Sequence, residues 1–194
     1  MTSCALVFTD LVDSTLLVQR IGDAGAAQMW ANHDRAARDL LTRNGGREID
    51  RTDGFFLTFD EVADAAHFAV GYQRATQALG LAARVGIHHG AVTLRQNAPA
   101  DVARGAKPVE VEGLAKPFAA RVMALAAGGQ TLLSEQARAA LAGAGLSDGS
   151  ELESHGHYRL KGIDEPVELF ELGVHGLSAF APPPDVEKAY RVIR

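Results

Sequence analysis

Residues 7–15 read VFTDLVDST and join a short apolar run to a segment with helical spacing. We predict a strand over residues 4–9, with Asp10 at its end, and a helix that begins near Ser14. An aspartate at such a junction normally caps the helix that follows it. It can also bind a cation, so the significance of Asp10 depends on what the rest of the chain places beside it.

The bulk composition favours one globular domain that does not bind nucleic acid. The chain has 194 residues, of which 47% are hydrophobic, so it can bury a substantial core. Its net charge of −5 offers no basic face to a nucleic-acid backbone. The single cysteine, Cys4, excludes an intramolecular disulfide and suggests a reducing compartment. With no membrane-spanning apolar run and no cleavable leader in the sequence, we expect a cytoplasmic protein without a membrane partner.

Periodicity along the chain predicts an α+β fold. Helical spacing is present over residues 14–43, with a break near Gly22, and over 61–79, 114–127 and 137–142. Strands are predicted over 81–96 and 130–136, and hairpins around Asp53-Gly54 and over 157–172, with a polar loop over 97–113. Hairpins make the sheet mixed and mostly antiparallel, with helices packed on one side of it.

The end of the chain has a different composition. Residues 177–194 contain three consecutive prolines followed by a charged stretch, which is typical of a linker. We therefore predict a domain over residues 1–176 and a Pro-rich tail over 177–194 that leads to a downstream region.

Two carboxylates are candidates for a metal site. Asp10 ends the first strand and Asp53 lies at the tip of the hairpin, so both reach one sheet edge if the strand and the hairpin pair. Carboxylates brought together repel unless one is protonated or a cation lies between them. Oxygen ligands from Asp10, Asp53 and the Leu11 carbonyl suit Mg²⁺ or Mn²⁺. The helix start at Ser14 and Thr15 would favour a phosphate. From spacing alone, a capping aspartate and a hairpin aspartate remain the alternative.

Five segments follow one another in the order found in class III nucleotide cyclases, the adenylate and guanylate cyclase catalytic domains. They are VFTDLVDST, GGREIDRTDGFFLTF, ARVGIHHGAV, AARVMALAAGGQTLLS and YRLKGIDEPVELFEL, and they extend from about Ala5 to about Leu172. The chain resembles this family over nearly the whole domain. The resemblance implies a ferredoxin-like βαββαβ core and a head-to-tail homodimer whose two active sites lie at the interface.

The resemblance also implies residue roles. Asp10 and Asp53 match the metal-binding aspartates, and Leu11 matches the carbonyl ligand. Arg121 matches the arginine that stabilises the α-phosphate in the transition state, and Lys161 matches a lysine that contacts the triphosphate. The implied reaction converts a nucleoside triphosphate, ATP by default, into a 3′,5′-cyclic nucleotide and pyrophosphate with two Mg²⁺ or Mn²⁺ ions per site.

The sequence departs from the family pattern at three places. Pro117 replaces an asparagine that orients the ribose. Thr52 replaces a glycine before Asp53, and the segment before it is one residue short, so the base-reading residue is Glu48, Asp50 or Arg51.

The third departure concerns the second base-reading position, which falls near Glu110. Acids lie on both sides and no lysine is present, so the base stays open between adenine, guanine and a pyrimidine. These departures also keep open a catalytically degenerate domain that senses nucleotides or dimerises within a larger signalling protein.

Overall fold

Strand β1 (Thr2–Leu11) lies at the centre of the sheet, between β3 (Phe55–Phe59) and β4 (Ala83–Gln96), and pairs antiparallel with both. The structure is a computed structural model that describes residues 2–146 and 149–192. The other strands are β2 (Arg47–Arg51), β5 (Val109–Glu112), β6 (Thr131–Ser134), β7 (Ser150–Leu160), β8 (Val167–Val174) and β9 (Ala189–Arg191). The helices are α1 (Ser14–Arg43), α2 (Val62–Ala78), α3 (Pro99–Val102), α4 (Ala115–Leu125) and α5 (Glu135–Leu141).

The strand order confirms the predicted fold class. Over the described ranges eight of the nine strands run in the order β2-β3-β1-β4-β6-β8-β7-β9, and the ninth, β5, pairs with the far end of β4. The pairing of β4 with β6 is parallel, whereas the other strand pairs of this part of the chain are antiparallel. Strands β2, β3, β1 and β4 with helices α1 and α2 form a ferredoxin-like βαββαβ unit.

Helices cover both faces of the sheet, so the prediction of helices on one side was wrong. Alternate residues of β1 point to opposite faces: Ala5 and Val7 pack with α1, α2 and α5, whereas Cys4 and Leu6 pack with α4. All four side chains are buried. Since a strand covered on both faces carries a continuous apolar run, the sequence of β1 does not alternate between apolar and polar residues.

Helix α1 is interrupted where the sequence predicts a break. Gly22 has φ 73° and ψ 169°, which is not a helical conformation, so α1 consists of two helices joined at a bend. Asp13 precedes the first helix in a left-handed conformation, with φ 56°, and its side chain makes no capping hydrogen bond. None of the helices in the described ranges is both long enough and apolar enough to cross a membrane.

Two segments that the sequence assigns to loop or tail contribute strands. The predicted loop over 97–113 contains α3 and β5, which extends β4 into a two-stranded arm. Beyond residue 176, β9 pairs with β7, Ala189 is buried, and the Tyr158 hydroxyl donates a hydrogen bond to the Pro183 carbonyl. Residues after 176 thus lie against the domain as far as residue 192. A domain boundary at residue 176 and a downstream region stay predictions.

Candidate active site

A close backbone contact holds the hairpin tip against the end of β1. A β-carbon at Gly54 would collide with the Thr9 carbonyl oxygen and lie 3.1 Å from the Asp10 α-carbon. Next to it, the Phe55 backbone N–H donates a hydrogen bond of 3.0 Å to the Thr9 hydroxyl. Glycine at position 54 therefore allows the β2–β3 turn to approach β1 closely enough to place Asp53 near Asp10.

Asp10 and Asp53 line one cleft of about 180 Å³. Asp50 also lines it, together with aromatic and backbone atoms of β1 and β3 and with Met123 from α4. Leu11, whose carbonyl was the third predicted ligand, follows Asp10 directly and buries its side chain in the core. The structure thus brings both predicted metal-binding carboxylates to the same edge of the sheet.

Asp10 already has a cationic partner, which the sequence analysis did not identify. It lies opposite Arg84 in the β1–β4 register, and an Nη of Arg84 donates to its carboxylate. The Asp10 and Arg84 side chains are 23% and 33% exposed. The donor set of two carboxylates and a carbonyl fits Mg²⁺ or Mn²⁺, which prefer hard oxygen ligands. However, no group of three His, Cys, Asp or Glu side chains within the described ranges has the arrangement of a metal site.

A second, larger cleft of about 430 Å³ adjoins the first, because Thr52 and Asp53 line both. The first turn of α1 contributes Ser14 and Thr15 to it, and β2 contributes Arg51. Four residues predicted to bind substrate therefore lie in one cleft with Asp53: Ser14, Thr15, Arg51 and Thr52. Uncapped backbone N–H groups at the start of α1 give this cleft a positive helix terminus, which favours an anion.

Arg51 is held in place by a chain of hydrogen bonds that the sequence did not reveal. Its Nε and one Nη donate to Asp34 Oδ1 at 3.1 and 2.9 Å. The same oxygen lies 2.9 Å from Nδ1 of the buried His33, whose Nε2 lies 2.7 Å from the Tyr72 hydroxyl. Burial lowers the pKa of His33, although the neighbouring Asp34 opposes this effect. Asp34 and His33 thus fix the orientation of Arg51 at the edge of the larger cleft.

Two acids of the predicted base-reading segment have cationic partners from elsewhere in the chain. A β-bulge falls between Glu48 and Asp50, where β2 has one residue more than β3 opposite it, so the two acids are displaced from regular alternation. Glu48 accepts two hydrogen bonds from Arg38, at 2.7 and 2.9 Å, and Asp50 forms an ion pair with Lys107. None of the predicted base-reading positions is itself a lysine, and the cation beside Asp50 comes from another segment of the chain. Lys107 lies in the predicted loop, 57 residues from Asp50 along the chain, and folding of the β4–β5 arm brings it there.

The remaining predicted residues lie outside both clefts. Glu110 is on β5, opposite Arg95 of β4. Arg121 on α4 donates from Nε to the Lys161 carbonyl at 3.4 Å, so these two predicted phosphate-binding residues are neighbours. Neither of them lines a cleft that contains Asp10 or Asp53. Pro117, at the expected asparagine position, is the third residue of α4, where proline needs no backbone donor.

Solved structures of similar fold are nucleotide cyclase catalytic domains. Adenylate cyclase of Trypanosoma brucei, described in its monomeric state, superposes with a TM-score of 0.78 at 22% identity and covers 94% of this chain and 93% of that one. The adenylyl cyclase CyaB of Pseudomonas aeruginosa superposes with a TM-score of 0.76 at 16% identity, and the match covers 88% of this chain and 93% of that one. An adenylate/guanylate cyclase/hydrolase of Silicibacter pomeroyi superposes with a TM-score of 0.70 at 18% identity, and the match covers 90% of this chain and 98% of that one.

The protein therefore has the fold of the class III adenylate and guanylate cyclase catalytic domains. No protein-family model matches the sequence. An uncharacterized protein of Mycobacterium tuberculosis strain H37Rv is 30% identical over 174 residues, which is 88% of this chain. The match covers 41% of that relative, so the chain spans about two fifths of the length of the curated relatives it matches.

Proposed function

We propose that the protein is a nucleotide cyclase. The 3′-hydroxyl oxygen of a nucleoside triphosphate forms a bond to the α-phosphorus, and the bond from that phosphorus to the β-phosphate oxygen breaks. The products are a 3′,5′-cyclic nucleotide and pyrophosphate, and the hydroxyl proton passes to water. The observation that carries this proposal is the shared cleft of Asp10 and Asp53 beside the uncapped N-terminus of α1.

The carboxylates of Asp10 and Asp53, with the Leu11 carbonyl, would hold two Mg²⁺ or Mn²⁺ ions. Such ions, when bound, lower the pKa of the attacking hydroxyl and balance the negative charge of the triphosphate. The backbone N–H groups at Ser14 and Thr15 favour binding of the phosphates, because a helix N-terminus attracts anions. Arg51, whose guanidinium retains further N–H donors beyond the two that Asp34 accepts, faces the same cleft.

Arg121 and Lys161 are proposed to act on the substrate of a second copy. Arg121 lies within α4 and Lys161 in the β7–β8 turn, where they are neighbours, and they line neither cleft of their own chain. A head-to-tail homodimer would carry this pair to the cleft of the partner. There the planar guanidinium of Arg121 would stabilise the charge that develops on the α-phosphate, and Lys161 would contact the triphosphate.

ATP is the proposed substrate, and GTP and the pyrimidine triphosphates are tested beside it. The Asp50–Lys107 pair offers one acceptor and one donor group, a combination that suits an adenine edge and also the O6 and N1–H of guanine, so the assay with each nucleotide decides the base. We place the reaction in the cytoplasm, where nucleoside triphosphates and Mg²⁺ are available.

Turnover of each nucleotide tests the proposal directly. The purified protein is incubated with Mn²⁺ and each of the four nucleoside triphosphates, and pyrophosphate and cyclic nucleotide are measured. We expect both products from ATP, and their loss in Asp10→Asn and in Asp53→Asn with the folded state retained. Asp60→Asn is the control, because Asp60 is exposed and pairs with Arg47 away from the clefts. Absence of product with every nucleotide would refute the proposal.

One set of observations favours a second candidate, a nucleotide-binding module without catalysis. Pro117 supplies no side-chain hydrogen bond to a ribose, and Arg84 already neutralises Asp10. Such a module would bind a non-hydrolysable triphosphate analogue and release no pyrophosphate from any nucleotide. Calorimetric titration with the analogue, run beside the turnover assay, distinguishes the two candidates.

A further inference from the structure

Arg84 lies where a divalent ion would compete with it. The residue is on β4, directly opposite Asp10 of β1, and its guanidinium donates to the Asp10 carboxylate. The guanidinium contacts one oxygen of this carboxylate, Oδ2, and a divalent ion bound to the same carboxylate would lie close to it. Because the two cations repel each other at that distance, Arg84 and an ion compete for Asp10.

The Arg84 side chain is incompletely satisfied in this position. Its Nε is buried and has no hydrogen-bond partner among the described residues. Leaving a buried donor without an acceptor opposes the gain from the ion pair. This contact is thus weaker than the two-point pairing by which Arg51 and Arg38 bind their carboxylates through Nε and Nη together.

We infer that Arg84 is a displaceable counter-cation of the metal site: it neutralises Asp10 before an ion binds, and a divalent ion that binds Asp10 releases it. This inference rests on the proposed function, since it requires that Asp10 binds an ion. The ion pair prevents two unscreened carboxylates from facing each other across the cleft, and so it keeps the site folded while no ion is bound. Its cost is a lower affinity for the ion.

Mn²⁺ affinity tests the inference without any measurement of turnover. Free Mn²⁺ is followed by electron paramagnetic resonance during titration of the wild type, Arg84→Gln and Arg95→Gln. We expect the Kd of Arg84→Gln to fall roughly three- to tenfold, because a competing ion pair of modest strength is removed. Arg95→Gln is the matched control: it lies on the same strand, changes the charge equally and pairs with the exposed Glu112. Its Kd should equal that of the wild type.

Chemical modification of the wild type tests the release itself and does not depend on the variant folding. Phenylglyoxal modifies exposed arginines, and the extent at each arginine is read by mass spectrometry after proteolysis. We expect Mn²⁺ to increase the rate at Arg84 several-fold and to leave the rate at Arg95 unchanged. A general effect of charge on affinity would not change the accessibility of Arg84.

The outcomes separate the two proposals. Equal Kd values for the wild type and Arg84→Gln, or an unchanged modification rate at Arg84 with bound Mn²⁺, would overturn the inference and leave the cyclase proposal intact. If Mn²⁺ binds neither the wild type nor Arg84→Gln, the inference and the metal-dependent function are both overturned. If Arg84→Gln does not fold, the modification rate in the wild type decides.

Discussion

His88 Nδ1 lies 2.9 Å from the Ser134 hydroxyl oxygen, and this contact joins the middle of β4 to the start of α5. The hydroxyl also accepts a hydrogen bond from the Ala137 backbone N–H and so caps α5. The His88 ring stacks on Phe118 with 4.1 Å between centroids. This buried, stacked imidazole is bonded to a neutral hydroxyl and has no ion pair with any residue that the structure describes, so its protonated form is not stabilised there.

We predict that acid destabilises the fold through His88. Burial, with a smaller effect of His89, lowers the pKa of His88 from 6.5 to about 4. The unfolded chain therefore takes up the proton at a higher pH than the folded one, and stability that is present above pH 6.5 is lost as pH falls toward 4. Between pH 8 and pH 5 the free energy of unfolding should fall by about 2 kcal/mol through this group.

Urea denaturation at pH 8 and pH 5 measures this effect. In His88→Gln the part of the pH dependence that belongs to residue 88 should disappear, while the contribution of His33, whose pKa burial also lowers, remains. An identical loss of stability in the wild type and in His88→Gln would contradict the prediction.

We predict that Gly54→Ala destabilises the protein and disrupts the site. The added methyl group would collide with the Thr9 carbonyl, and the β2–β3 turn has to move away from β1 to accommodate it. Overpacking of this kind costs about 1–3 kcal/mol, which thermal or urea denaturation detects. Because the movement separates Asp53 from Asp10, Mn²⁺ affinity should decrease as well.

Gly145→Ala is the control for that substitution. A β-carbon at Gly145 meets nothing within 4 Å, so its stability should equal that of the wild type within about 0.5 kcal/mol. Equal stabilities of Gly54→Ala and Gly145→Ala would mean that the close approach at Thr9 does not constrain the hairpin.

We predict that Glu171→Gln loosens the segment after residue 176. The Glu171 carboxylate is fully buried and accepts from Gln130 Nε2 at 2.6 Å and from the Phe180 backbone N–H at 3.1 Å, with His155 Nε2 at 2.8 Å. An amide has one oxygen, so at least one of these groups loses its acceptor, and the free energy of unfolding should fall by about 1–3 kcal/mol.

Limited proteolysis near Phe180 should accelerate in Glu171→Gln. Glu153, which pairs with Glu171 across β7 and β8 and is exposed, provides the control. Glu153→Gln should leave both the stability and the cleavage rate unchanged. Resistance of Glu171→Gln to the protease would show that other contacts hold this segment.

We predict that two inactive variants complement each other. Asp10→Asn disables the cleft of its own chain, and Arg121→Ala removes a group that we propose to act in the cleft of the partner. When equal amounts are mixed and exchange subunits, about half of the dimers are heterodimers, and each heterodimer has one intact site of its two. We therefore expect about a quarter of the wild-type turnover. Mixing Asp10→Asn with Asp53→Asn should restore nothing, because both changes affect the same set of groups.

The periodicity of the sequence predicted the fold class and most of the helices and strands. The break at Gly22, the hairpin at Asp53-Gly54 and the amphipathic helix α2 all follow from interactions within a few residues, and local spacing records such interactions. Strand β5 and the packing of β9 escaped detection because short polar strands differ little from loops until they pair. The presence of α4 on the second face of the sheet likewise depends on the crossover of the chain, which periodicity does not encode.

The sequence by itself determined which chemistry is available: two acidic residues at a strand end and a hairpin tip, a helix start between them in the chain, and a glycine that admits close backbone contact. Only the tertiary structure decided the partners of these groups. Arg84 faces Asp10 through the β1–β4 register, Lys107 reaches Asp50 through the β4–β5 arm, and Asp34 reaches Arg51 from α1. The physical reason is that an ion pair forms between side chains that are close in space, and cross-strand register and helix placement, rather than distance along the chain, set that proximity.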